Sequence, residues 1–484
     1  MLPHPVKHRA SHHSIDSSIG EPANCTGPGG FISYRSLLAV AAIFHLAVCL
    51  AILVARRFGV LASVFDSDGV ARSFAYDAGI YLADVARLIE TVKQDGLAAW
   101  FSAPFPLHVK IYSVSFSIFS RLVGFNILAA EPVNLVCYVA ILWIVIKTSE
   151  EVFGRRAGYL TAIVIALWPT WLLHSTQILK EPLYVAALLG FILVIARCLT
   201  RAFAVMEGLT AGVLAGSLLM FLWLIKPDSW ELLLLVTAVA LVLLALKSVK
   251  EKQIGKGNVA AAVLLVSFLF GIPWLVPKTF TTKPHPFLTL SDSTSGPKIS
   301  IAGTGGLAPA VKPPARSSAW LERLRERISW ARYLYVNYPA GGSNIDAEVR
   351  LESWREIIVY LPRAIEIGLF APFPNTWFAS GTQVGRAGRM LAGFETLLMY
   401  VVYFFSAFAL WRSRRNFAVW FLAVAAIACL IVLSIATPNV GALYRFRYPW
   451  WMLILIIGMN GVLELRGHVV RSGARSSKSD VSSV

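Results

Sequence analysis

Apolar runs long enough to cross a bilayer as helices, about 17–25 residues each, recur ten times along this chain. They lie near 31–55, 131–148, 156–175, 181–199, 207–226, 231–247, 257–277, 391–411, 416–437 and 446–464. Few folds are open to such a pattern. In hydrocarbon every backbone N–H and C=O must find its partner within the protein, so only helices and closed barrels span. Barrel strands alternate apolar and polar residues, whereas these runs are continuous. The expected fold is therefore all-α: a polytopic membrane helical bundle of about ten spans, with outward-facing interfacial helices and a large extracytoplasmic loop. Composition agrees, with 57% hydrophobic and 15% charged residues, against about a quarter charged in soluble domains.

An eleventh stretch, 107–123, contains Lys110 and Arg121 and puts Ser113, Ser117 and Ser120 on one helical face. That is the character of a helix lying in the interface. Charge bias makes the same choice. If 107–123 does not span, the N-terminus, the loops 147–156, 197–201, 247–256 and 412–415, and the tail after Arg466 share one side, and these are the basic segments. The positive-inside rule then places both termini in the cytoplasm. Arg56 and Arg57 run against it. The run 31–55 is long for a signal-peptide core and lacks a clear small-residue cleavage site, so it reads as a retained first helix.

The expected organisation follows. Residues 1–30 form a disordered cytoplasmic tail, 31–277 a transmembrane module whose first outward loop is 56–130, and 278–390 an extracytoplasmic loop region. Spans over 391–465 and a cytoplasmic tail at 466–484 complete it. Within the loop region, 278–317 is irregular. An amphipathic helix then sets Leu321, Leu324, Ile328, Ala331 and Tyr335 on one face, with Arg332 among the charges elsewhere. After a Gly341-Gly342 turn, Ser353-Trp354-Arg355-Glu356 is a capping box opening another helix, and Ala371-Pro372-Phe373-Pro374 ends it.

The formal net charge of +17 is spread over short loops between apolar runs, which fits topology and not nucleic acid. His4, His8, His12 and His13 sit in the polar N-terminal tail. The five cysteines (Cys25, Cys49, Cys137, Cys198, Cys429) form no CxxC pair. No disulfide framework, metal site or cofactor is expected.

Acids beside hydrocarbon are costly and therefore functional candidates. Asp77, Tyr81 and Asp84, at i, i+4 and i+7, share a face if helical, with Asp66 and Asp68 nearby as competitors. Glu181 precedes Pro182 at the mouth of a later run. The plainer readings are a solvated loop charge for Asp77 and a helix-dipole partner for Glu181. Lys110, Lys180, Lys226, Arg445 and Arg447 lie at the outward ends of apolar runs, where snorkelling is common. Arg445 and Arg447, separated by Phe446, offer forks matched to phosphate oxygens. Together these residues supply carboxylates to activate a nucleophile and cations to stabilise a phosphate leaving group.

In this arrangement the chain resembles the GT-C superfamily of integral-membrane glycosyltransferases, especially the branch of bacterial aminoarabinose transferases and protein mannosyltransferases. The resemblance lies in Asp77-Ala78-Gly79-Ile80-Tyr81, the turn Val152 to Gly158, Glu181-Pro182 and the late Tyr444-Arg445-Phe446-Arg447-Tyr448-Pro449. It runs in order through about 35–200 and resumes near 440–464. It departs where relatives carry two adjacent acids, since Ala78 follows Asp77, and where they carry Lys-Pro, since this chain has His108-Val109-Lys110. The resemblance implies transfer of a sugar from a polyprenyl-phosphate carrier to an extracytoplasmic acceptor, in a bacterial inner membrane. Asp77 would be the general base with Glu181 assisting, and Tyr81, Lys110, Lys180, Arg445 and Arg447 would bind carrier phosphate or substrate.

Other classes stay open at this point. A transporter or flippase of a lipid-linked substrate keeps charges near mid-membrane, while 157–179, 208–225 and 257–277 contain no Lys, Arg, Asp or Glu. A glycan polymerase or ligase would share the outward face but rely on basic residues. The topology predicts that cysteines replacing Glu150 and Lys250, in a background without native cysteines, resist an impermeant thiol reagent applied to intact cells. Labelling at both would reverse the orientation.

Overall fold

The computed structural model describes residues 33–252, 255–276, 289–291, 298–300, 320–337, 343–380 and 384–481. The N-terminal tail, the Gly341-Gly342 turn and nearly all of 278–317 lie outside the described residues. In that last stretch only a short antiparallel pair is described, β1 (Thr289–Ser291) with β2 (Lys298–Ser300).

Helices make up almost everything else. The first half contains α1 (Tyr34–Arg57), α2 (Asp77–Asp95), α3 (Leu97–Ser102), α4 (Leu107–Val123), α5 (Ile127–Val152), α6 (Arg155–Ala166), α7 (Pro169–Ser175), α8 (Glu181–Thr200) and α9 (Val205–Ile225). The second contains α10 (Trp230–Glu251), α11 (Lys256–Leu275), α12 (Trp320–Val336), α13 (Trp354–Phe370), α14 (Gly385–Arg412), α15 (Phe417–Ala436), α16 (Val440–Phe446) and α17 (Tyr448–Val481). Among the described residues, nine helices are long and apolar enough to cross a membrane: α1, α5, α8, α9, α10, α11, α14, α15 and α17. Counting the bent pair α6 and α7 as one broken span gives up to ten. The protein is an all-α, multi-pass membrane bundle.

The run 156–175 is not one straight helix. Pro169 forces Trp168 into an extended conformation (φ −71°, ψ 110°) and opens α7 as its first residue, so α6 and α7 meet at 69°. At the other end of the chain, the backbone of α17 stays helical through the expected tail to Val481.

Packing follows side-chain size. Gly208, Gly212 and Gly216, every fourth residue of α9, face Gly257, Leu264 and Phe268 of α11. A Cβ on Gly208 would stand 1.9 Å from the Gly257 carbonyl oxygen. Asn258, in the first turn of α11, braces the turn between α8 and α9, accepting from Phe203 N at 2.7 Å and donating to Cys198 O at 2.6 Å.

Two expectations for the loops change. Arg56, against the positive-inside trend, donates to Asp66 O at 2.9 Å and Val60 O at 3.3 Å, fastening the first loop back on α1. Arg332 is not on a solvated face of α12. It is buried and donates to Val349 O (2.8 Å) and Asp346 O (2.6 Å) in the loop before α13, and to Ile435 O (3.3 Å) in the last turn of α15, where carbonyls lack helical partners. The capping box forms, with Glu356 N donating to Ser353 Oγ at 3.2 Å. The helix it opens is α13. It lies along α15, Ser434 Oγ donating to Ala364 O at 2.6 Å, with Gly368 too close to Leu430 O to admit a side chain.

Replacing Gly208 with Val is predicted to lower thermal stability in detergent by the equivalent of about 1–3 kcal/mol, as overpacking does. Gly190→Ala, whose nearest neighbour is a Leu218 methyl at 3.6 Å, should be tolerated. Thermal unfolding of both variants checks the contrast.

Candidate functional site

Between α7 and α8 the chain abandons helix inside the bundle. Thr176, Gln177, Ile178 and Leu179 are fully buried, and non-helical backbone at membrane depth survives only where protein satisfies it. Here Asn134 Nδ2 donates to Gln177 O at 3.2 Å. The Tyr112 hydroxyl lies 2.6 Å from Asn134 Oδ1 and 3.0 Å from Leu179 O. Gln177 Oε1 accepts from Ala71 N at 2.8 Å, joining this stretch to the loop before α2. Below it, His45 sits between Glu131 Oε1 (2.7 Å) and Ser175 Oγ (3.0 Å). These contacts fix where Lys180 and Glu181 emerge.

Glu181 opens α8 with Pro182 behind it, and Asp77 opens α2. Both are first-turn acids, favoured by the helix dipole. Arg445, from α16, bridges them: Nη2 is 2.9 Å from Asp77 Oδ2, and Nη1 is 4.0 Å from Glu181 Oε1. Residues separated by more than 250 positions thus meet around one guanidinium. Access is graded, since the Asp77 side chain is 26% exposed, Arg445 13% and Glu181 6%. Asp77 is the acid that solvent reaches. Both Glu181 oxygens and Arg445 Nη1 are buried without a hydrogen-bond partner.

The cations and phenols around this bridge are coupled to it. Burial works against charge on Arg445, yet Asp77 and Glu181 raise its pKa above the ordinary arginine range. Lys180 is held above the lysine range by Tyr81 and then, against burial, by Glu181, Asp77 and Asp228. Burial pushes Tyr81 up to about 12, with Lys180 opposing. Lys226 moves the other way, down to about 7, through burial and the positive charge of Lys180. Tyr335 of α12 interacts with the same charges and is raised to about 12 by burial.

Two expected members stand elsewhere. Lys110 Nζ donates to Phe101 O at 2.8 Å and lies over the Trp100 ring, so it secures α3. Arg447 is fully buried, donates to Ala371 O at 2.7 Å and packs on the Tyr444 and Trp451 rings. The reason is helical geometry. At about 100° per residue, positions two apart in α16 and its cap face opposite ways. Asp84 pairs with Arg87 (3.6 Å), and Asp66 Oδ1 accepts from Asp68 N (2.9 Å) and Val70 N (2.8 Å), so the carboxylates of Asp84 and Asp66 are engaged in local structure.

Sequence reasoning passed over His108, Asp228 and the role of Tyr335. His108 is stacked edge-on against Tyr81 (centroids 4.5 Å apart) with both ring nitrogens unpartnered. Asp228 had a visible signal, the helix-breaking Lys226-Pro227-Asp228 between two spans. Two acids inside spans also went unremarked: Glu131, paired with His45, and Glu395, which accepts from Thr170 N (2.7 Å), Thr170 Oγ1 (2.5 Å) and the Tyr444 hydroxyl. Glu395 thereby caps α7 and anchors the residue preceding Arg445. Among the described residues, no group of three or more His, Cys, Asp or Glu side chains is placed to hold a metal ion.

Comparison with family models, with curated proteins and with solved structures finds no match.

Burial, reinforced by Lys180 and partly opposed by Asp77, lowers His108 to about 3. The unfolded chain then binds more protons between about pH 3 and 6.5, so His108 costs stability as pH falls through that window and nothing above it. His108→Phe, which keeps an aromatic ring against Tyr81, should flatten the loss of stability on acidification and leave stability at pH 8 nearly unchanged. Unfolding curves across the acid range check this.

Proposed function

We propose that the protein is a membrane glycosyltransferase that moves a sugar from a polyprenyl-phosphate carrier to an extracytoplasmic acceptor. It would work in a bacterial inner membrane, with both termini cytoplasmic and the site outward. The observation that carries this reading is the Asp77–Arg445–Glu181 bridge at the mouths of apolar helices, with Lys180 beside it. Cations suited to a donor phosphate lie beside acids suited to act as base, and of the two acids Asp77 is the more open to an acceptor arriving from water.

In the proposed reaction the carrier phosphate takes the Arg445 fork, whose Nη1 is unpartnered. Arg445 then turns from Asp77 toward the phosphate, and Asp77 is released to accept a proton. The acceptor oxygen or nitrogen attacks the anomeric carbon as its proton passes to Asp77. The carbon–oxygen bond to phosphate breaks, and the departing oxygen keeps the electron pair. Arg445 and Lys180 stabilise that growing charge, which is where fixed cations contribute most. Glu181, carrying no hydrogen bond, suits a hydroxyl or amine donor of the substrate and orients it. A transport path would need free charges along the bundle axis. The acids inside spans, Glu131 and Glu395, instead have partners on neighbouring helices.

Asp77→Asn preserves shape and removes basicity. Transfer by the purified protein should fall about 10²–10⁴-fold while folding is retained. A strain carrying it should accumulate a polyprenyl-phosphate sugar and lack one envelope modification. Near wild-type transfer by both Asp77→Asn and Glu181→Gln would sink the reading.

A further inference from the structure

Small side chains leave a gap near one end of the bundle. Gly208, Gly212 and Gly216 draw α9 onto α11, while α10 packs along α15 and α8. Between α10 and the α9–α11 pair, floored by α8, lies a cleft lined by Cys198, Ala211, Ala215, Leu241, Leu244 and Ala262. Only about 30 Å³ of it is enclosed. Leu241, Leu244 and Ala262 stay half-exposed, so the cleft opens along one side. Asn258 also touches it, but its side chain is engaged with Phe203 N, Cys198 O and Arg201 O. An apolar cavity of this kind stays dry. Hydrocarbon is the filling it suits.

The mouth of the cleft is basic. In 197–207 and 247–256 the cations are Arg197, Arg201, Lys247, Lys250, Lys252 and Lys256, and the acids are Glu207 and Glu251. Glu151 reaches in from α5, where Arg201 Nε (2.7 Å) and Thr200 Oγ1 (2.6 Å) already hold it. Arg197 Nε, 3.8 Å from Glu151, is left buried without a hydrogen-bond partner. Glu207 caps α9, accepting from Ala204 N at 3.0 Å. Lys247 lies one turn beyond Leu244 on the same side of α10. Its charge acts on the Cys198 thiol in the cleft wall. Its side chain is only 13% exposed, and its ion-pair partner Glu251 stands 3.9 Å off. Positive charge is thus in surplus where the apolar cleft ends.

We propose that this cleft binds one anionic phospholipid of the bilayer, with an acyl chain between α10 and the α9–α11 pair and the phosphate on Lys247 and Arg197. The positive-inside rule places this end in the cytoplasm, and basic pockets between spans on that side take acidic headgroups. The site is independent of the Asp77–Arg445–Glu181 bridge, since Glu181 and Arg197 lie at opposite ends of α8.

The test is native mass spectrometry of the full-length protein in detergent, titrated with dioleoylphosphatidylglycerol or, as zwitterionic control, dioleoylphosphatidylcholine. Wild type should bind the first phosphatidylglycerol about 5–30-fold more tightly, because each basic residue beside acidic lipid contributes about 1 kcal/mol. Lys247→Gln should lose about fivefold of that preference, and the double variant with Arg197→Gln nearly all of it. Ala262→Leu, which narrows the cleft from its open side, should weaken first binding of both lipids and keep the charge preference. No preference in wild type, or a preference that survives the double variant, overturns the inference. First binding unchanged in Ala262→Leu also overturns it, since the lipid would then lie elsewhere on the surface.

Discussion

The hydrogen bonds from Asn134 and Tyr112 to the Gln177 and Leu179 carbonyls hold an unwound stretch of backbone inside the bundle. The rest of the site depends on them. An unsatisfied carbonyl at that depth costs several kcal/mol, so a helix at 176–180 would be the default. Because the polar partners exist, the chain can stop α7 at Ser175 and restart α8 at Glu181, which puts Lys180 and Glu181 together at a helix mouth. Gln177 then ties this stretch to Ala71, six residues before Asp77. Two acids on different helices thereby share one rigid support.

Arg445 completes an arrangement whose members are each unfavourable alone. A carboxylate with no hydrogen bond, such as Glu181, and a guanidinium with one free edge are tolerable only because they lie within about 4 Å of each other. Unsatisfied buried groups of this kind mark places where a structure has kept polar capacity in reserve. The Glu395 contacts to Thr170 and Tyr444 differ in kind, being saturated. They read as fasteners.

The bundle was legible in the sequence because each span needs a long apolar run, and such runs are local. Helix starts at Glu181-Pro182 and Ser353 were legible for the same reason, through caps within four residues. The acids Asp77 and Glu181 stood out by their cost next to hydrocarbon. What periodicity could not supply was any relation between distant segments. The pairing of Arg445 with Asp77 spans 368 positions. Arg332 joined the polar face of α12 on pattern alone, yet its partners lie at 346, 349 and 435. Arg447 was grouped with Arg445 because neighbours in sequence look like neighbours in space, and the short helix α16 separates them.

The fastening of α12 has a mechanical consequence. Arg332 grips the last carbonyls of α15, Ile345 N donates to Pro438 O, and Val440 N donates to Ser343 O. Helix α12, which carries Tyr335, and the stretch of chain that launches α16, which carries Arg445, are therefore laced together. The arginine between the two acids is mounted on chain that α12 helps to hold, so the position of its guanidinium depends on the docking of a helix that sequence alone places far from it.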